Sequence, residues 1–307
     1  MPEWKPEAVS RRRPQLRSNK HCGHCPHISA LLRAERRAER QAEHVASHTR
    51  KGDHQRMKVI TICHHKGGVA KSTTAAALGH GISVMQKKSK VLLIDADPQG
   101  TLTKSVYGIK QTVPGLYSVI MGEKDWKSVI MHTESGDIVP YEKKTGSLDA
   151  ELISDPGKDY KLRECLEDLE GYSHVIIDTS PYLNLANIQA LTASNVVIIP
   201  VCADPECVDS LPETLKTIRT VQKYSNKTLT IGGAVMTLYD GRANVVKQYA
   251  DLIEDVCKKN EVRLLKTKVR TCAAIKEAHA MKENLFTYAP KSNAVADYTA
   301  IIKELKL

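Results

Sequence analysis

The pattern of apolar and polar positions changes at Met57. Beyond it, five runs of strand length are apolar almost without interruption: KVITIC from Lys58, KVLLIDAD from Lys90, HVIIDTS from His174, NVVIIPV from Asn195 and LTIGGAVMTL from Leu229. A half-exposed strand alternates with period two, whereas a continuous apolar run marks a strand covered on both faces. Longer stretches with helical character, such as Ser72 to Met85, separate the runs. This alternation predicts an α/β domain over residues 57–307, with a doubly wound, mostly parallel sheet and helices on both faces. The segment Thr112 to Asp159 is turn-rich and weakly periodic, so irregular connections with short helices are expected there. No internal repeat is visible.

The first 56 residues differ in kind. They hold 13 of the 45 Lys+Arg against 6 of the 35 Asp+Glu, and ten of the fifteen arginines. The net charge of +10 is thus concentrated in a leader too poor in apolar residues to build a core. One stretch, Ala30 to Ala46, could form a charged helix. His21 to His27 contains Cys22 and Cys25 at the spacing of half a zinc site, without a second half. The leader reads as a disordered basic tail or as an upstream extension of the reading frame. No run has the ~20 apolar residues of a membrane span and no signal peptide is evident, so a cytoplasmic protein with reduced thiols is expected.

The chemistry gathers after the first strand. His64 to Thr73 reads HHKGGVAKST and leads into an Ala-rich helix. Strand, glycine turn and helix form the architecture of a phosphate-binding loop. Its backbone N–H groups face a phosphate, the helix N-terminus adds its positive end, Lys71 reaches the outer phosphates and Ser72 offers a hydroxyl to Mg²⁺. Asp95 and Asp97 close the second strand two residues apart, and Asp178 closes a later one, near the edge where open α/β sheets bind ligands. Asp178 is placed to hold the metal.

The usual spacing G-x4-G-K-[ST] fails at His65 and Ala70. The loop instead resembles the deviant form K-G-G-x-G-K-[ST] of the ParA/MinD superfamily, with an additional lysine at Lys66. VLLIDADPQGTLT (Val91 to Thr103), HVIIDTSP (His174 to Pro181), MTLYDGRANVV (Met236 to Val246) and YAPKSNAVADY (Tyr288 to Tyr298) resemble further stretches of that family. The resemblance spans nearly all of residues 57–307. It implies a slow Mg²⁺-dependent ATPase whose nucleotide site comprises Lys66, Gly67, Gly68, Val69, Ala70, Lys71, Ser72 and Thr73. Lys66 would cross to the nucleotide of a facing subunit, Asp97 would position the attacking water, and Asp95 would support the metal held by Ser72 and Asp178. A methyl group at Ala70, where the family has glycine, must tolerate a backbone made for close approach to phosphate.

Within the superfamily, cluster-carrying relatives need closely paired cysteines, and Cys202/Cys207 and Cys257/Cys272 do not match. Kinase relatives end in a tyrosine cluster, whereas this chain ends TAIIKELKL. The apolar stripe Tyr298, Ile301, Ile302 and Leu305 reads as core packing rather than as a lipid-binding helix. The ParA/Soj branch remains, implying an ATP-bound homodimer on non-specific DNA, nucleoid association and a ParB-like partner. Between Val262 and Lys276 lie five basic residues and no acid, with Lys268, Arg270 and Lys276 as candidate DNA contacts. A membrane-cycling MinD-like regulator and a non-hydrolysing nucleotide-binding adaptor are the alternatives.

Overall fold

The computed structural model describes residues 57–111 and 113–307. The leader's His21 to His27 stretch and candidate helix Ala30 to Ala46 lie outside the described residues. The strands are β1 (Lys58–Ile62), β2 (Val91–Asp95), β3 (Met131–Thr133), β4 (Gly136–Val139), β5 (His174–Asp178), β6 (Val196–Cys202) and β7 (Thr230–Thr237). They form one sheet in the order β3-β4-β2-β5-β1-β6-β7, parallel throughout except for β3.

Five of these strands are the apolar runs of the sequence. Between Thr112 and Asp159 the expected short helices are present, at Leu116–Ile120, Trp126–Val129 and Leu148–Glu151, but the hairpin β3–β4 was not expected. Its strands have three and four residues, and β3 is only partly buried, so neither run is long enough to show a period. Pairing with β2, Leu93 opposite Ile138, is what makes β4 a strand.

The longer helices are α1 (Lys71–Met85), α2 (Leu185–Ala193), α3 (Pro205–Tyr224), α4 (Asn244–Lys259), α5 (Ala273–Met281) and α6 (Asn293–Leu305). Alternate strand residues divide between the two faces. Ile60, Ile62, Leu93, Ile176 and Ile198 pack with α1, α5 and α6, whereas Val59, Leu92, Ile94, Val175 and Ile177 pack with α2. Val197, Ile199 and Met236 lie under α3 and α4. The continuous apolar runs thus follow from a sheet with no solvent face.

Close approach shapes α1. A Cβ at Gly81 would come within 2.4 Å of the Ile302 side-chain tip and 2.6 Å of the Phe286 ring, so glycine lets α1 sit against these side chains without displacing them. On α6, Tyr298, Ile301 and Ile302 are buried and Leu305 packs against the same cluster, so this stripe is core, as expected. No helix among the described residues is long and apolar enough to cross a membrane.

Candidate functional site

The strand register brings the candidate residues together. Ile62 at the end of β1 and Asp95 at the end of β2 both stand opposite Asp178 of β5. The loop between β1 and α1 therefore rises directly beside a row of carboxylates at the C-terminal sheet edge. A hollow of about 370 Å³ at the opposite strand ends, lined by Met57, His174 and Asn195, has no Asp or Glu in its wall.

The loop is held by its own backbone and by its neighbours. The His64 imidazole accepts from the Lys66 N–H at 2.9 Å, Thr214 Oγ1 accepts from His65 N–H at 3.1 Å, and Thr237 Oγ1 donates to the Val69 carbonyl at 3.1 Å. Gly67 and Gly68 are exposed, with open space where their Cβ atoms would be, and Gly68 has φ +77°. Ala70 has φ 60° and ψ 36°, a left-handed conformation that costs a non-glycine residue about 1 kcal/mol or more. No side chain caps α1 and no acid lies in its first turn, so its leading amides remain available to an anion.

The two loop lysines occupy different environments. Lys71 is buried and donates to the Lys66 carbonyl at 2.8 Å. Burial pulls its pKa below the ordinary lysine value, with Asp178 opposing the shift. Lys66 points instead to the N-terminus of α3, 2.5 Å from Asp204 and 3.3 Å from Glu206. Burial works against its charge, but hydrogen bonding to Asp204 and the other acidic neighbours hold its pKa above the usual value.

Asp95 and Asp178 are both fully buried. Asp95 accepts from Thr103 N–H at 2.8 Å, Thr103 Oγ1 at 2.6 Å and Asp97 N–H at 3.2 Å. Burial still pushes its carboxyl up to about 7. Neither oxygen of Asp178 has a hydrogen-bond partner of normal geometry. Burial, then repulsion from Asp95, raises its pKa well above the carboxylate range, and the nearby Ser72 hydroxyl only partly counters this. A buried acceptor pair without donors, beside a hydroxyl and next to a phosphate-type loop, fits a hard cation with oxygen ligands. Asp97, nearly buried, accepts from Gln99 N–H at 2.9 Å and belongs to the same cluster of charges.

The basic stretch is less unified. Arg270 makes backbone and side-chain bonds to Asp297, including 2.6 Å and 3.0 Å contacts from its guanidinium. Lys268 Nζ lies 4.3 Å from the Tyr239 ring centre. Exposed Lys276 joins Arg270, Ala70, Thr73, Leu238 and Tyr298 around a cavity of about 160 Å³ beside the loop. The sequence marked the segment around Tyr239 as a plausible adenine wall, but sequence reading did not foresee that Thr237 and Leu238 share a cavity with Arg270 and Lys276, because its walls come from residues far apart in the chain. It also missed Asp204 as the partner of Lys66, although Asp204 followed by Pro205 is a recognisable helix start.

A glycine turn feeding uncapped helix amides, two lysines and an unmet carboxylate at a parallel sheet edge define a P-loop nucleotide-binding protein. The AAA-domain family profile matches residues 57–231, and the chain belongs to that family as a P-loop ATPase of the ParA/MinD type. It is 33% identical over 252 residues to the sporulation initiation inhibitor protein Soj of Bacillus subtilis, an alignment covering 81% of this chain and 98% of Soj. Among solved structures, cobyrinic acid a,c-diamide synthase from Mycobacterium smegmatis with bound ATP analog and magnesium superposes with a TM-score of 0.69 at 27% identity, covering 80% of this chain and 93% of the synthase. A putative plasmid partition protein from Borrelia burgdorferi bound to AMPPNP gives a TM-score of 0.68 at 25% identity, covering 82% and 99%.

Proposed function

We propose that the chain is an ATP-driven switch for DNA partition. In this reading it binds Mg-ATP, closes into a homodimer around two nucleotides and holds non-specific DNA in that state. Slow hydrolysis, stimulated by a ParB-like partner, releases the DNA and returns a nucleoid-associated pool to free protein. The orphaned carboxylate pair of Asp178 beside Ser72 and Lys71 carries the reading, because Mg²⁺ would answer an electrostatic deficit that the fold leaves open. Bound there, Mg²⁺ would neutralise charge between the outer phosphates. The amides of Gly67 to Thr73 and the Lys71 ammonium hold the triphosphate, and Asp97 orients the attacking water.

The 160 Å³ cavity beside Ala70 and Thr73 is proportioned for a nucleobase, with Leu238 and Tyr298 as apolar walls. Lys66 is directed away from its own loop, which supports a role across a subunit interface. Lys268, Arg270 and Lys276 are the proposed DNA contacts, Arg270 braced by Asp297 rather than free. Residues 57–307 carry this function, and removal of residues 1–56 is expected to leave ATP affinity unchanged.

Phosphate release and retention on duplex DNA, each with Mg-ATP and with ADP, test the proposal. Slow turnover with retention only in ATP is expected. ATP binding without any phosphate release would make the chain an adaptor. ATP-dependent sedimentation with liposomes but not with DNA would make it a membrane-cycling regulator.

A further inference from the structure

We propose that Cys202, Asp204 and Cys207 form a binding site for a thiophilic divalent cation of the zinc class, and that this cation competes with Lys66 for the Asp204 carboxylate. The site is built where β6 passes into α3. Cys202 ends the strand, Asp204 caps the helix by accepting from the Cys207 N–H at 2.8 Å, and Cys207 lies in the first helical turn. Four intervening residues give the thiol pair no recognised spacing, yet the fold places both Sγ atoms and a carboxylate oxygen within 4.8 Å of one another. A tetrahedral zinc site, with Zn–S about 2.3 Å and Zn–O about 2.0–2.2 Å, sets its ligands roughly 3.5–3.8 Å apart, so little movement is needed.

The surroundings favour thiolate ligation. Both cysteines are free and buried, and the Cys207 sulfur accepts the Cys202 N–H at 3.1 Å. The helix N-terminus lends further positive potential. Asp204 is partly exposed, which leaves an open side for water as a fourth ligand. Two soft sulfurs and one oxygen select zinc-class ions over Mg²⁺, so this site is chemically distinct from the oxygen-lined one at Asp178. Binding deprotonates both thiols and releases the protons to solvent, so affinity falls as pH falls.

Lys66 supplies the competition. Its ammonium lies 2.5 Å from Asp204 Oδ2, the oxygen not used for the helix cap, so a second cation on this carboxylate meets the ammonium's charge at close range and competes with it. Cation binding would thereby free Lys66 from α3. The metal site itself does not depend on the partition reading.

The test uses the full chain carrying Cys22→Ser and Cys25→Ser, which removes the leader thiols, reduced and stripped with chelator. Titration with Zn²⁺ against a chromogenic chelator, and with Co²⁺ for its thiolate charge-transfer absorption, should show one equivalent bound. Adding Cys202→Ser with Cys207→Ser should abolish that equivalent and the absorption. Asp204→Asn keeps a good helix cap and should weaken binding about tenfold or more, guarding against a misfolded cysteine variant. Lys66→Ala should tighten binding several-fold. Unchanged stoichiometry in the double cysteine variant, a Co²⁺ spectrum without thiolate bands, or a pair that only forms a disulfide and binds no Zn²⁺ when reduced would overturn the site. An unaltered affinity in Lys66→Ala would overturn the competition.

Discussion

Asp95 and Asp178 end adjacent strands, face each other in register and are equally buried, yet the fold treats them differently. Three donors converge on Asp95, two of them from Thr103, and together they tie the β2 end to the turn that follows. Nothing of normal hydrogen-bond geometry meets Asp178. Burial raises both pKa values and so cannot tell their roles apart. The unmet acceptor can. A satisfied buried carboxylate organises its own chain, whereas an unsatisfied one is a cost that a ligand from outside removes.

The comparison breaks most sharply under substitution. Asp178→Asn should reduce Mg²⁺-dependent phosphate release about a hundredfold or more, on the order of 3 kcal/mol in the barrier, while raising the Tm of the ligand-free protein by a few degrees. If its Tm falls as turnover falls, Asp178 is a structural residue. Asp95→Ala should do the reverse, stranding three donors and costing on the order of 2–4 kcal/mol, or roughly 5–15 °C in Tm for a domain of this size. Thermal scans would detect either sign.

Protonation gives a subtler handle. A carboxyl whose folded pKa is raised favours the protonated native state, so its stabilising contribution is full below about pH 4 and is lost as pH rises through about 7, the value for Asp95. The ligand-free protein should therefore lose Tm between pH 5 and pH 8. Asp178→Asn should flatten this loss, and saturating Mg-nucleotide should offset it. The smallest effect concerns Ala70, where glycine removes the left-handed penalty. Ala70→Gly should gain about 0.5–1 kcal/mol and tighten ATP a few-fold, measured by chemical denaturation and by equilibrium binding.

Legibility in the sequence followed burial. The five core strands, α1 and the buried stripe of α6 announced themselves because strands covered on both faces leave a continuous apolar run and a helix packed along one face leaves a stripe at helical spacing. The short hairpin β3–β4 did not, since its pairing partner β2 rather than its own composition makes it a strand. Within the site, Asp95 and Asp178 were legible as candidates because they end apolar strands, and the two lysines because they flank the glycine turn before α1, whereas Asp97, expected to close β2, lies two residues past its end. The Lys66–Asp204 pair, 138 residues apart, and the convergence of Cys202 with Cys207 depend on how β6 delivers α3 beside the loop, which no local pattern records. The basic stretch read as one patch, whereas Arg270, Lys268 and Lys276 are engaged by Asp297, by Tyr239 and by the edge of a cavity.

In the proposed switch ATP joins two subunits through Lys66, which in the single chain is held by Asp204 and Glu206. A charge-assisted contact of about 1.5–3 kcal/mol from each subunit would contribute on the order of 3–6 kcal/mol to the dimer, about a hundredfold to ten-thousandfold in its formation. Light scattering of the parent protein and of Lys66→Ala, each with Mg-ATP and with ADP, measures this directly. The account predicts a doubled mass for the parent in ATP alone and a monomer for Lys66→Ala that still binds ATP within a few-fold. A Lys66→Ala protein that doubles its mass in ATP as the parent does would contradict it.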